Sequence, residues 1–151
     1  IDQAFHSRYH TLQENPILAP LGLEFIKDLS LQSRLSIVKE NEIVMSNFVV
    51  KKSLYFILDG FAQVSVLSGP GGWMSSIGVL SKNDLIGVEN TVAFENKNMI
   101  VDSILGDLVL LELEEKEFKQ LRDKYGQFFD MLLVYSLNML HNNNLLISNF
   151  A

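Results

Sequence analysis

The sequence predicts a mainly β fold with flanking helices: a sandwich, roll or barrel of short strands closed by one long C-terminal helix. Two observations carry this. Between about residues 34 and 113, short stretches rich in β-branched, aromatic and aliphatic residues are bounded by turn residues. From 127 to 149 the chain then runs without Gly or Pro, with apolar residues at helical spacing. The 151 residues suffice for one domain with a real core. With 48% hydrophobic and 20% charged residues, disorder is excluded over most of the length.

In chain order, residues 3–14 and 21–29 read as short helices separated by Pro16 and Pro20. The predicted strands are LSIVKE (35–40), NEIVM (41–45), SLYFIL (53–58), FAQVSVL (61–67), WMSSIGVL (73–80), MIVDSIL (99–105) and DLVLLEL (107–113). In FAQVSVL, alternation sends Phe61, Gln63 and Ser65 to one side and Ala62, Val64 and Val66 to the other. Asp59–Gly60 and Ser68–Gly72 are expected turns, the second a hairpin tip, because their residues tolerate or preset the needed backbone angles. Lys51–Lys52 reads as an exposed turn, and Trp73 as a strand residue. Glu114, Glu115 and Glu117 open a helix that reaches Lys124, with its acidic first turn favoured by the helix dipole. Tyr125–Gly126 breaks it before the long helix starts.

That long helix carries Phe128, Met131, Leu132, Tyr135, Met139, Leu146 and Phe150, many of them three, four or seven apart. Such a stripe suits a partner helix, so these residues are the expected dimerisation face. Phe129, Leu133, Leu137 and Leu140 occupy other faces and are expected to pack on the strands.

Composition also removes function classes. There are no cysteines, hence no disulfides, thiolate metal sites or thiol nucleophiles. No apolar run approaches the roughly 20 residues that cross a bilayer, and the N-terminus lacks a signal-peptide layout. Cytoplasmic residence without a membrane partner is the expectation. The chain begins without Met and is read as a fragment or processed product. Net charge is -6, with no basic stripe to neutralise phosphates, so this segment is not expected to bind DNA itself. A cupin-like enzyme would hold its metal with strand histidines, but none occurs between His10 and His141. His6 and His10 are four apart without an evident third ligand, and His141 stands alone, so no metal and no cofactor is expected. No Ser/His/Asp pattern or carboxylate pair marks catalysis, and the glycines of Ser68–Gly72 lack the Lys and Ser/Thr of a phosphate loop. The protein is read as a non-enzyme.

The order of these pieces resembles the Crp/Fnr family of bacterial regulators. SLYFILDGFAQVSVL (53–67) is similar to the family's aromatic strand, turn glycine and following strand. LSKNDLIGVEN (80–90) is similar to the turn and "IG" that open its phosphate-binding cassette. DLVLLELEEKEFKQL (107–121) resembles the last strand and the helix after it, with Phe118 as anchor. The resemblance spans roughly residues 20–150 and implies a cyclic-nucleotide-binding-type, jelly-roll-like β-roll followed by a dimerisation helix. It divides the chain into a sensor roll with N-terminal helices (1–126) and a dimerisation helix (127–151), with any DNA-binding domain outside this chain.

The resemblance also implies an effector surface at Ile86, Gly87, Val88, Glu89 and Asn90, at Lys97, Asn98, Met99 and Ile100, and at Asn143 and Asn144 of the long helix. Asn142–Asn144 read equally as a solvated helix end. Where the family carries the ribose-binding Glu, this chain has Val88, with Glu89 one place later. Asn98 replaces the Arg that grips the cyclic phosphate, and the adjacent Lys97 has charge without the planar fork. Phe48 and Asn83 stand at turn-glycine positions, of which Asn tolerates the left-handed region. The resemblance thus implies a homodimeric sensor for an unknown small molecule other than cyclic AMP. A ligand-free dimerisation module is equally open.

Overall fold

The computed structural model describes the backbone of residues 3–46, 53–68, 73–88 and 99–148, and within these the side chains of 8–45, 53–66, 75–88 and 99–138. Helix α1 (Gln3–Gln13), a 3-10 turn (Ala19–Leu21) and α2 (Leu23–Gln32) precede the strands. These are β1 (Arg34–Val38), β2 (Ile43–Ser46), β3 (Leu54–Ser68), β4 (Trp73–Leu80), β5 (Leu85–Ile86) and β6 (Met99–Leu113). Helices α3 (Glu115–Lys124) and α4 (Gly126–Ser148) complete the chain. Among the described residues the strands form one antiparallel sheet in the order β1-β6-β3-β4, with β2 also on β6 and β5 on β3. This is the mainly β architecture with flanking helices that the sequence predicts.

Local chemistry sets the helix ends. Asn15 is buried, and its Oδ1 accepts from the N–H groups of Ile17 (2.8 Å) and Leu18 (3.3 Å), which stops α1 and starts the 3-10 turn. In α3, Glu115 and Glu117 occupy the first turn and Arg122 and Lys124 the last, each matching the helix dipole.

Two expected strand breaks are absent. Residues 53–58 and 61–67 join in the single strand β3, and 99–105 and 107–113 join in β6. Asp59–Gly60 is therefore a bulge and not a turn: the register against β6 shifts on both sides of Asp59. Gly60 has φ +99, and opposite it Leu105 and Gly106 have φ +61 and +120. Residues that could close a hairpin here bend one long two-stranded ribbon, because each strand has its partner along both halves. The hairpin at Ser68–Gly72 fares differently. Residues 69–72 lie outside the described residues, while Ser68 pairs with Trp73 on their two sides. The Trp73 side chain, Phe48 and Lys51–Lys52 are also outside.

The two faces of the ribbon serve two cores. On one side Leu54, Phe56, Leu111 and Leu113 pack with Phe25 and Leu29 of α2, Phe118 and Leu121 of α3, and Phe128 and Leu132 of α4. On the other, Tyr55, Ile57, Leu108 and Leu110 join Ala62, Val64, Val101, Ile77 and Ile86 inside the roll. SLYFIL is apolar without alternation because both of its faces are buried. In FAQVSVL the alternation holds at Phe61 (exposed), Ala62 and Val64 (buried). Ser65, expected on the same side as the exposed Phe61, is buried instead, and the register against β4 shifts between Val64 and Ser65.

The faces of α4 differ from expectation. Phe128 and Leu132 have no exposed surface and sit in their own chain's core, and Met131 and Tyr135 pack against it. A side chain with no free surface has none to offer a partner, so Phe128 and Leu132 are corrected from interface to core. Leu137, expected to pack on the strands, is 60% exposed, and Val134 58%. Phe129 does pack against the core as expected. The side chains of Met139, Leu140 and Leu146, and all of Phe150, lie outside the described residues.

Candidate functional site

The site grows from the turn before β5. Asn83 takes φ +77, the left-handed conformation its sequence position implies. Asp84 closes the turn: its Oδ2 accepts from the Ser81 N–H (2.8 Å), and its own N–H donates to the Ser81 carbonyl (2.9 Å). The turn is fastened to β3, since the Asn83 N–H donates to the Ile57 carbonyl and the Ile57 N–H to the Asp84 carbonyl, both at 3.0 Å. Strand β5 then pairs Leu85 with Phe56 and Ile86 with Tyr55.

Gly87 follows at φ +90, and a Cβ placed there would lie 2.5 Å from the Ser53 carbonyl oxygen. This close approach is why the "IG" ends in glycine. The left-handed residue also resets the alternation: Ile86 points into the roll interior, and Val88, 3% exposed, joins the helix-side core. Ile86, Gly87 and Val88 are thus together and buried. Met99 and Ile100 open β6 half-buried, opposite Val66 and Ser65. Glu89, Asn90, Lys97 and Asn98 lie outside the described residues, as do the side chains of Asn143 and Asn144, whose backbone belongs to α4. His10 is exposed on α1, and the side chains of His6 and His141 lie outside the described residues. Among the described residues no three His, Asp or Glu side chains are placed to hold a metal ion. No helix among the described residues is long and apolar enough to cross a membrane.

Three polar links around this site were not foreseen. The Leu85 N–H donates to the Tyr135 hydroxyl (3.0 Å), tying α4 to the start of β5. The signal was the hydroxyl on an otherwise apolar stripe, since a Tyr packed against a core needs a polar partner. Phenylalanine at 135 leaves the Leu85 N–H without this acceptor. We expect a loss of about 1 kcal/mol, with faster amide exchange confined to Leu85 and its neighbours; unchanged exchange there removes the link.

The second link clamps the junction of α3 and α4. Asp28 of α2 accepts from Lys124 (2.8 Å) and from the Tyr125 hydroxyl, while the Tyr125 ring packs edge-on against Phe25 at 5.2 Å. Hydrogen bonds from Lys124 and then Tyr125 hold the Asp28 carboxyl below its ordinary 3.8, against the opposing pull of desolvation. The same bond to Asp28 raises Lys124 and Tyr125. A carboxyl depressed in the folded state contributes stability above its unfolded value, and that contribution is lost as pH falls through the folded value. Asp28→Asn should therefore lower stability at neutral pH and flatten its decline below about pH 4. Urea midpoints at several pH values measure this; parallel wild-type and variant curves rule the clamp out. Asp102 runs the other way, since desolvation raises its carboxyl.

The third link joins Glu112 of β6 to Ser53 beside Gly87, with Ser53 Oγ donating to Glu112 Oε2 at 2.8 Å. Its signal was a charge on the inward side of DLVLLEL.

The sequence matches no protein-family model and no curated protein. Solved structures do match. The regulatory domain of Toxoplasma gondii PKA, determined with cAMP, superimposes with a TM-score of 0.78 at 16% identity, over 92% of this chain and 51% of that one. The fold is that of a cyclic-nucleotide-binding domain. The sensor domain of the transcriptional regulator DNR from Pseudomonas aeruginosa matches with a TM-score of 0.72 at 15% identity, over 91% of both chains. The Thermus thermophilus catabolite activator protein matches at 0.74 and 16%, over 88% of this chain and 62% of that one. Sensor domains of Crp/Fnr regulators therefore share this fold, as the sequence resemblance implies. The chain spans about half the length of the PKA regulatory chains it matches. The first of these neighbours is a regulatory domain and the second a sensor domain.

Proposed function

We propose that this chain is the effector-sensing and dimerisation domain of a Crp/Fnr-type transcription regulator. The observation that carries the reading is the Leu85–Tyr135 hydrogen bond, which joins the strand entering the cassette to the long helix. An effector that shifts the residues after β5 favours one position of α4 over another, and only such differential binding transmits a signal. The small molecule contacts Ile86–Asn90, Lys97–Ile100 and, from α4, Asn143 and Asn144. Helix α4 pairs with a second copy of the chain, and residues 127–151 then form a dimerisation unit after the sensor unit 1–126. Met139 and Leu146 remain contact candidates on that helix, joined by the exposed Val134 and Leu137. DNA is read by a separate domain of the parent protein, which works in the cytoplasm.

Cyclic AMP is not the effector in this reading. Val88 stands where the resemblance expects the ribose-binding Glu, and its side chain is buried among apolar residues, where it offers a ribose no acceptor. Thermal unfolding with saturating cyclic AMP or cyclic GMP should leave the midpoint unchanged. A ligand at a hundredfold its dissociation constant adds about 2.7 kcal/mol, or roughly 5–10 °C for a chain of this size. A rise of that order overturns the exclusion. The burial of Val88 also favours the second reading, a dimerisation module without a ligand, which predicts no midpoint shift with any small metabolite.

A further inference from the structure

We infer that Glu112 is a positioning residue for the cassette, acting through Ser53. The inference rests on the reading of residues 86–90 as the effector surface. Glu112 is 5% exposed, in a strand whose inward neighbours Leu108 and Leu110 are fully buried. A carboxylate there is costly unless well bound, and an apolar side chain would fill the position with less desolvation. The carboxylate is well bound: Ser53 Oγ donates to Oε2 at 2.8 Å, and Arg34 Nη2 lies 3.3 Å from Oε1. Arg34 also reaches Glu114 at 2.6 Å, which anchors the guanidinium at the surface.

What this network holds is the residue under Gly87. Glu112 pairs with Tyr55 and Tyr55 with Ile86, so the carboxylate and the cassette entry flank one strand, and Ser53 immediately precedes it. Ser53 is 1% exposed, and its carbonyl oxygen lies 2.5 Å from where a Cβ of Gly87 would be. Bonds to a buried carboxylate are stronger and better oriented than neutral ones. Fixing the Ser53 hydroxyl therefore fixes the carbonyl on which Gly87 rests, and with it the direction in which the chain leaves β5.

The test is amide hydrogen exchange on the ligand-free protein. In Ser53→Ala and Glu112→Leu, residues 84–88 should exchange about tenfold faster, with residues 61–66 unchanged. Glu112→Gln keeps an oxygen that accepts from Ser53 and should stay nearer wild type than Glu112→Leu. Unchanged exchange at 84–88, an equal rise across the whole roll, or Glu112→Gln as fast as Glu112→Leu overturns the inference. Should Glu112→Leu fail to fold, Ser53→Ala decides. No effector enters this measurement, so failure to find one defeats the sensing reading and leaves this result standing on its own.

Discussion

Alanine at Gly87 or at Gly60 lowers the unfolding free energy by about 3 kcal/mol or more. Two costs combine at each position. A left-handed backbone with a Cβ costs on the order of 1–2 kcal/mol, and a forced overlap in a packed region typically adds 1–3. At Gly87, φ is +90 and the new Cβ would stand 2.5 Å from the Ser53 carbonyl oxygen. At Gly60, φ is +99 and it would stand 2.6 Å from the Asp107 carbonyl oxygen and 3.1 Å from Leu108 Cα. Both obstacles are backbone and cannot swing aside. Gly22 and Gly106 supply the control, because their φ values of +97 and +120 are equally left-handed but a Cβ there meets nothing within 4 Å. Alanine at those two should cost only the conformational part, on the order of 1–2 kcal/mol. Urea midpoints at unchanged slope compare all four. Equal losses at the four sites would mean that close approach is not what makes Gly60 and Gly87 necessary.

The two clashing glycines also separate what the sequence reveals from what it hides. Asn83 was legible because the demand on it is local, a tight turn closed by a left-handed residue before a strand, while Gly87 was marked only by the family resemblance. Gly60 was legible as a residue needing positive φ but not as a bulge. Asp59–Gly60 serves either a hairpin or a bend, and the choice rests on β6, whose Val109 and Ile104 lie some fifty residues on. Gly106 was only the gap between two expected strands, and its left-handed φ follows from the same pairing. The ribbon of β3 and β6 was thus divided wrongly at both strands by one missing fact, the cross-strand partner. In the site, Ile86 and Val88 were found as neighbours in sequence, yet their separation into two cores follows from the φ of Gly87. Glu112 was not singled out from the sequence, since its partners Ser53 and Arg34 lie 59 and 78 residues away along the chain.

Helix α4 carries the sharpest case, and the measurement that resolves it. A stripe at three, four and seven residues is what packing demands of a helix, whether its neighbour belongs to the same chain or to another. Phe128 sits at 4.8 Å from Phe25 and 5.6 Å from Phe118, ring to ring, with no exposed surface. Phe128→Ala should therefore cost about 3–5 kcal/mol, and the loss should not vary with protein concentration, because the contacts are within one chain. Leu137→Asp should behave oppositely. At 60% exposure it loses little within the chain, within about 0.5 kcal/mol. If α4 pairs with a second copy through the face of Val134 and Leu137, it instead buries a charge between two helices and shifts assembly toward monomers. Sedimentation equilibrium and urea unfolding across a hundredfold range of concentration read both variants. A Phe128→Ala loss that shrinks as concentration rises would return Phe128 to the interface. A wild type that stays monomeric throughout would remove the pairing of α4 from the proposed function, and with it the route by which a change at β5 reaches a second subunit.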